Sequence, residues 1–180
     1  MKRILIVVDM QTDFVDGALG TPEAVAILEN VTAKIKSYAA DPDGVIFVTY
    51  DTHTEEYMTT SEGKHLPVPH CIKGTAGWEL HPTVAAALAG VTYTPVEKPT
   101  FGSVALPALV KEAAAGEDFA VELIGLCTDI CVVSNTLLLK ANFPEISISV
   151  DASCCAGVTP ETHKAALTTM GMCQIEVKNG

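Results

Sequence analysis

Three near-continuous apolar runs, Arg3 to Val8, Val45 to Tyr50 and Phe119 to Leu126, constrain the fold of this chain more than any other feature of its sequence. A strand with one wet face alternates apolar and polar residues. A run that stays apolar on successive residues has both faces covered, which is the situation of a parallel sheet between two layers of helix. Each run also stops abruptly, at Asp9, at Asp51-Thr52-His53 and at Cys127. Shorter candidates at Val91 to Val96, Ile146 to Val150 and Cys173 to Val177 bring the strand count to six.

Helical spacing fills the intervals. Thr21-Pro22-Glu23 opens a helix with an N-cap and a first-position proline, and Val25, Leu28, Val31, Ile35 and Tyr38 form one face of it. Further helices are expected over Trp78 to Leu88, from Gly102-Ser103 through Leu106, Leu109 and Val110, over Ser134 to Ala141, and over Glu161 to Met170. Strand and helix alternate without repeats or low-complexity linkers. The expected fold is therefore α/β: one domain spanning residues 1–180, with an open, mainly parallel six-stranded sheet and helices on both faces.

Composition narrows the function classes. With 180 residues, 48% hydrophobic and 18% charged, the chain suits a single sizeable core. No apolar run reaches the ~18 residues of a membrane span, and Met1-Lys2-Arg3 with Ile4 to Val8 is too short for a signal peptide, so a cytoplasmic protein without membrane partners is expected. A net charge of -11 argues against nucleic acid. Six cysteines, none in a CxxC pair, read as reduced thiols. The expected partner is a small molecule, and a homo-oligomer is compatible with this surface.

Ligands of open parallel sheets bind beyond the carboxyl ends of the strands. There the chain places Asp9, Asp51 with His53, Lys98 and Cys131. Cys131 falls at a strand-to-helix turn, where free N–H groups and the helix dipole are expected to lower the thiol pKa and to receive an oxyanion. Asp9 can take the thiol proton, and Lys98 can hold the two anions together. Asp51, His53 and His70 offer one oxygen and two nitrogens to a divalent metal, Zn²⁺ first and Fe²⁺ or Mn²⁺ next, with Glu62 as a fourth ligand. Glu62 and His70 lie in a segment, Thr54 to Gly77, read as a long irregular loop. His65 reads as an exposed loop residue, and His81 and His163 as structural.

These residues carry a resemblance. Val8-Asp9-Met10-Gln11-x-Asp13-Phe14, Asp51-x-His53, Pro69-His70-Cys71-x-x-Gly74-Thr75-x-Gly77, Lys98, Gly125-x-x-Thr128-Asp129-x-Cys131-Val132 and Thr159-Pro160-Glu161-x-His163 together resemble a cysteine hydrolase of the isochorismatase-like superfamily, and within it the nicotinamidases (pyrazinamidases). The resemblance runs from Ile4 to Ile175. It implies a three-layer sandwich and an Asp9, Lys98, Cys131 triad. It also implies a non-proline cis peptide at Leu126-Cys127 and an oxyanion hole made by the backbone of Cys127 and Cys131. The metal ligands it implies are Asp51, His53 and His70, with a Glu or a third His as the fourth in different members; Glu62 is similar to the former, and Thr59 stands at the position of the latter.

The implied reaction is hydrolysis of nicotinamide to nicotinate and ammonia through a Cys131 thioester, with Phe14, Leu66 and Phe101 lining the pocket and a role in NAD salvage. Two positions depart from the family's habit. Leu66-Pro67-Val68 stands where an aromatic commonly precedes the Pro-His ligand, and Val104 where a second ring often follows Lys98, so the pocket walls are expected to be more aliphatic. The alternatives are another small amide or carbamoyl substrate, a metal-free vinyl-ether hydrolase, which would leave Asp51, His53 and His70 without purpose, and a non-catalytic binding or assembly member of the fold.

Overall fold

Six strands form one parallel sheet in the computed structural model, which describes residues 1–180. They are β1 (Lys2–Val8), β2 (Gly44–Asp51), β3 (Thr94–Lys98), β4 (Phe119–Leu126), β5 (Ile148–Ala156) and β6 (Glu176–Lys178), in the order β3-β2-β1-β4-β5-β6. The helices are α1 (Thr12–Val15), α2 (Pro22–Ala26), α3 (Leu28–Ala39), α4 (Ser61–His65), α5 (Pro82–Ala87), α6 (Leu106–Ala114), α7 (Val133–Asn142) and α8 (Pro160–Met172). Because side chains alternate across a strand, the sheet feeds two cores. Leu5 and Val7 pack with α2, α3 and α5, whereas Ile4, Ile6 and Val8 pack with α6, α7 and α8.

The strand order places the site. The chain winds outward from β1 to β3, returns to pair β4 with β1, and then winds the other way to β6. The crevice opens where the winding reverses, at the carboxyl ends of β1 and β4. Gly125 closes that seam tightly. Its φ is +114°, and a Cβ there would collide with Val8 O, so only glycine lets β4 approach β1 this closely while its register with β5 shifts.

Several boundaries differ from the sequence reading. The helix opened by Thr21 breaks at Ile27; Ala24 and Ile27 are buried and Val25 is exposed. Helix α5 begins at Pro82 rather than Trp78, because the residue before a proline is driven to extended backbone, and His81 then caps it by accepting from Thr83 N. Strand β3 covers Thr94–Lys98, and Pro95 is tolerated because β3 is an edge strand. Helix α6 starts at Leu106, not at Gly102-Ser103. Strand β5 runs on to Ala156, beyond the Val150 expected, and so carries Gly157 and Val158 up to the crevice. Strand β6 begins at Glu176 rather than Cys173. The Thr54 to Gly77 segment is not structureless, since it contains a 3-10 turn at Tyr57–Thr59 and α4. No helix is long and apolar enough to cross a membrane.

Candidate active site

Lys98 is the centre of the crevice. It ends β3, is 1% exposed, and its Nζ lies 2.6 Å from Asp9 Oδ2, 3.2 Å from Asp51 Oδ1, 3.2 Å from Thr100 O and 3.5 Å from Cys131 Sγ. Asp9 leaves β1 with a left-handed φ of 47°, a conformation costly for a non-glycine residue. Thr49 holds it there: its hydroxyl donates to Asp9 Oδ1 at 2.6 Å, and the Asp9 N–H donates back to Thr49. Cys131 sits in a π-helical turn, Thr128–Val132, that precedes α7, a conformation that recurs at functional sites. The Leu126-Cys127 peptide bond is cis.

The electrostatics correct one expectation. The helix start was expected to lower the Cys131 thiol pKa; instead burial and the facing Asp9 carboxylate push it well up, against the pull of Lys98. Burial also raises Asp9 despite Lys98, and Asp51 adds to the effect. Burial disfavours the Lys98 ammonium, but Asp9, Cys131 and Asp51 more than compensate and hold its proton firmly. One cation thus serves two carboxylates and a thiol. Desolvation outweighs the partial charges of the turn, and Cys131 keeps its proton until a neighbour accepts it.

Beside this group Asp51, His53, Glu62 and His70 each present one ligand atom, all within 4.8 Å of one another. His53 Nε2 is 2.9 Å from Asp51 Oδ2 and 3.7 Å from Glu62 Oε1; His70 Nε2 is 3.5 and 3.6 Å from the same two atoms. Four bonds of ~2.0–2.2 Å to the corners of a tetrahedron would set neighbouring donors ~3.3–3.6 Å apart, so this spacing fits a zinc-sized ion. Two further observations agree. His53 Nε2 is buried yet makes no hydrogen bond of acceptable geometry. His70 donates from Nδ1 to Val68 O at 2.8 Å, which leaves its Nε2 lone pair free to ligate. Burial would raise Asp51, but the adjoining His53 and His70 imidazoles and the charge of Lys98 hold it ionised far below the usual carboxylate range.

A cavity of about 740 Å³ joins the two groups. Phe14, Leu66 and Phe101, the three expected pocket residues, all line it, together with Cys127, Ile130, Cys131 and Val158. Every residue named from the sequence as catalytic, metal-binding or pocket-lining therefore meets at one crevice.

The sequence profile of the isochorismatase domain matches residues 3–178 of the chain. The chain belongs to the isochorismatase family. Among its relatives, a nicotinamidase/pyrazinamidase of Mycobacterium tuberculosis is 28% identical, with 97% of each chain covered. An uncharacterised isochorismatase family protein, PncA of Bacillus subtilis, is 30% identical over 93% of each chain. The crystal structure of a pyrazinamidase/nicotinamidase from Streptococcus mutans superposes with a TM-score of 0.83 at 27% identity, covering 98% of this chain and 99% of that one.

Around this isochorismatase-family site the structure adds supporting residues, of which only His163 has a role, a structural one, in the sequence reading. Gln11 is fully buried; its Oε1 accepts from Asp51 N at 2.8 Å and its Nε2 donates to Asp51 O at 2.9 Å, pinning the end of β2. Asn135 donates to Cys131 O at 2.8 Å and to Phe101 O at 3.1 Å, tying the cysteine turn to the loop after β3. Thr128 and His163 are hydrogen bonded at 2.8 Å, joining that turn to α8. Tyr57 packs its ring edge-on to both His53 and His70. The available signal was membership of the quoted motifs, which Gln11, Thr128 and His163 share; Asn135 and Tyr57 carried none.

Proposed function

We propose that the protein is a metal-containing cysteine amidohydrolase that cleaves a small, ring-bearing primary amide, with nicotinamide as the reference substrate. What carries this reading is the meeting of Asp9, Lys98 and Cys131 around one buried ammonium, with Asp9 2.6 Å and Cys131 Sγ 3.5 Å from Lys98 Nζ, next to a four-donor metal cluster. The relatives named nicotinamidase/pyrazinamidase point to the same reaction class.

Asp9 takes the Cys131 proton as sulfur attacks the carboxamide carbon. The C–S bond forms, the carbonyl oxygen becomes an oxyanion, and the N–H groups of Cys127 and Cys131 at the start of the turn receive it. Asp9 then delivers the proton to the departing nitrogen, the C–N bond breaks, and ammonia leaves a thioester on Cys131. Water, losing a proton to Asp9, attacks the thioester; the carboxylic acid leaves and the proton returns to the thiol. Lys98 stays charged throughout and offsets whichever of Asp9 and Cys131 is anionic. Asp51, His53, Glu62 and His70 would hold a divalent ion, which when bound would supply Lewis acidity beside the substrate ring. Phe14 packs 5.3 Å from the His70 ring and forms the wall against which a flat ring can lie.

Ammonia release from nicotinamide by the wild type and by Cys131→Ala tests the reading. The variant is expected to lose ~10⁴-fold or more in kcat/KM. Equal turnover by the two proteins would remove the nucleophile and the proposal with it.

A further inference from the structure

We infer that the preferred substrate is a primary amide whose acyl part carries an apolar group extending well past a single ring, an inference that rests on the amidohydrolase reading above. The first observation is size. At about 740 Å³ the cavity is in the range that encloses a drug-sized ligand, ~300–1,000 Å³, and is several times what a one-ring carboxamide fills. A lone ring would leave most of it to water.

The second observation is how polarity is distributed. The metal-site donors Asp51, Glu62 and His70 share the cavity with Cys131, while Leu19, Leu66, Phe101, Ile130 and Val158 supply apolar wall. Three of these are among the few large apolar side chains left exposed anywhere on the protein: Leu66 is 38%, Phe101 42% and Val158 52% exposed. They come from three separate places, the end of α4, the loop after β3 and the loop after β5, and converge on one cavity. Exposed apolar side chains gathered on one cavity mark a surface that something apolar covers.

The third observation fixes which side of the amide is extended. Asp9, which must reach the leaving nitrogen, is fully buried, as is Lys98, and neither lines the cavity. The nitrogen therefore faces closed protein and the acyl part faces the apolar wall. Because the acyl part stays on Cys131 through both half-reactions, its contacts with Leu66, Phe101 and Val158 assist both.

The test uses the zinc-loaded full chain and two substrate series. One is nicotinamide with a methyl, propyl or pentyl group on the ring carbon farthest from the carboxamide, read by ammonia release. The other puts the same alkyl groups on the amide nitrogen, read by nicotinate formation. In the ring series kcat/KM is expected to rise about threefold to fourfold per methylene buried, until the wall is covered; the N-alkyl series is expected to fall below nicotinamide. Leu66→Asp and Val158→Asp, both at exposed positions, are expected to lower the pentyl-to-unsubstituted ratio of kcat/KM by tenfold or more. A flat or falling ring series with nicotinamide still turned over would overturn this inference and leave the amidohydrolase reading standing, and a rising N-alkyl series would overturn the assignment of the extension to the acyl side. No ammonia from any ring compound would overturn both readings.

Discussion

Two buried clusters of carboxylates and lysines lie on this sheet, and they behave in opposite ways. On the α3 side, Glu122 accepts from Tyr38 Oη at 2.9 Å, Lys34 Nζ at 3.3 Å and Lys178 Nζ at 3.1 Å, while Asp151 accepts from Lys34, Ser153 and Asn179. Burial pushes both carboxyls up, yet this supply of donors prevails: Glu122 is held below the usual range and Asp151 at about 2. In the crevice one lysine serves Asp9, Asp51 and the Cys131 thiol, and burial wins at Asp9 and Cys131. The difference is the ratio of donors to anions. A fully supplied cluster is a strut, whereas an undersupplied one keeps a proton that can move.

The contrast can be broken most forcefully at Asp9. Asp9→Asn keeps the shape and leaves Lys98 paired with Asp51, so kcat/KM for ammonia release is expected to fall ~10³-fold with no loss of thermal stability. A large fall in Tm would make Asp9 a strut like Glu122. Next in size is the metal. Zn²⁺ at a hundred times its Kd is expected to stabilise the wild type by ~2.7 kcal/mol in thermal melts, an increment absent in His53→Ala and retained in Glu122→Gln. An equal increment in His53→Ala would discard the four-donor site.

Glu122→Gln is the converse of Asp9→Asn. It is expected to cost ~1–3 kcal/mol in urea unfolding while kcat is unchanged, since it disturbs a satisfied buried network far from the chemistry. The pH dependence sharpens this. Glu122 and Asp151 are more acidic folded than unfolded, so their contribution is complete above the ordinary carboxyl values of ~4 and is lost as pH falls below them, for Asp151 down to about 2. The stability gap between wild type and Glu122→Gln should therefore narrow as pH drops through that window; a constant gap would show that the ion pairs contribute nothing. The smallest effect is expected at Cys127, which lines the same cavity but has its thiol pushed up to about 12 by burial and Asp129. Cys127→Ala should change kcat/KM less than ~3-fold, because the residue offers its backbone. A loss as large as that of Cys131→Ala would make its sulfur part of the chemistry.

Strands and site residues were legible in the sequence because each depends on local pattern. Apolar runs mark the strands, and the residues at or shortly after the end of each run are the ones delivered to the crevice, as with Asp9, Asp51, Lys98 and Cys131. What the sequence hid depends on partners distant in the chain. Glu122 reads as a flaw in an apolar run until Tyr38, Lys34 and Lys178 are seen around it. The Cys131 thiol was misjudged because desolvation by the surrounding core cannot be read from a turn. Ile27 breaks its helix and Pro82 starts one late, for reasons of packing and backbone sterics that an apolar face does not display.

The reversal of winding between β1 and β4 also divides the labour of the chain. Every ionic group of the crevice, Asp9, Asp51, His53, Glu62, His70 and Lys98, is contributed before β4 begins; the Cys131 sulfur arrives from the other half, together with the backbone of its turn and the apolar wall at Ile130 and Val158. Until β4 pairs with β1, neither half of the chain holds both the charged cluster and the thiol. Under the proposed reading, recovery of turnover after denaturation would report the meeting of the two halves, along the β1–β4 edge and through contacts such as Lys34 with Asp151 and Ser103 with Asn135.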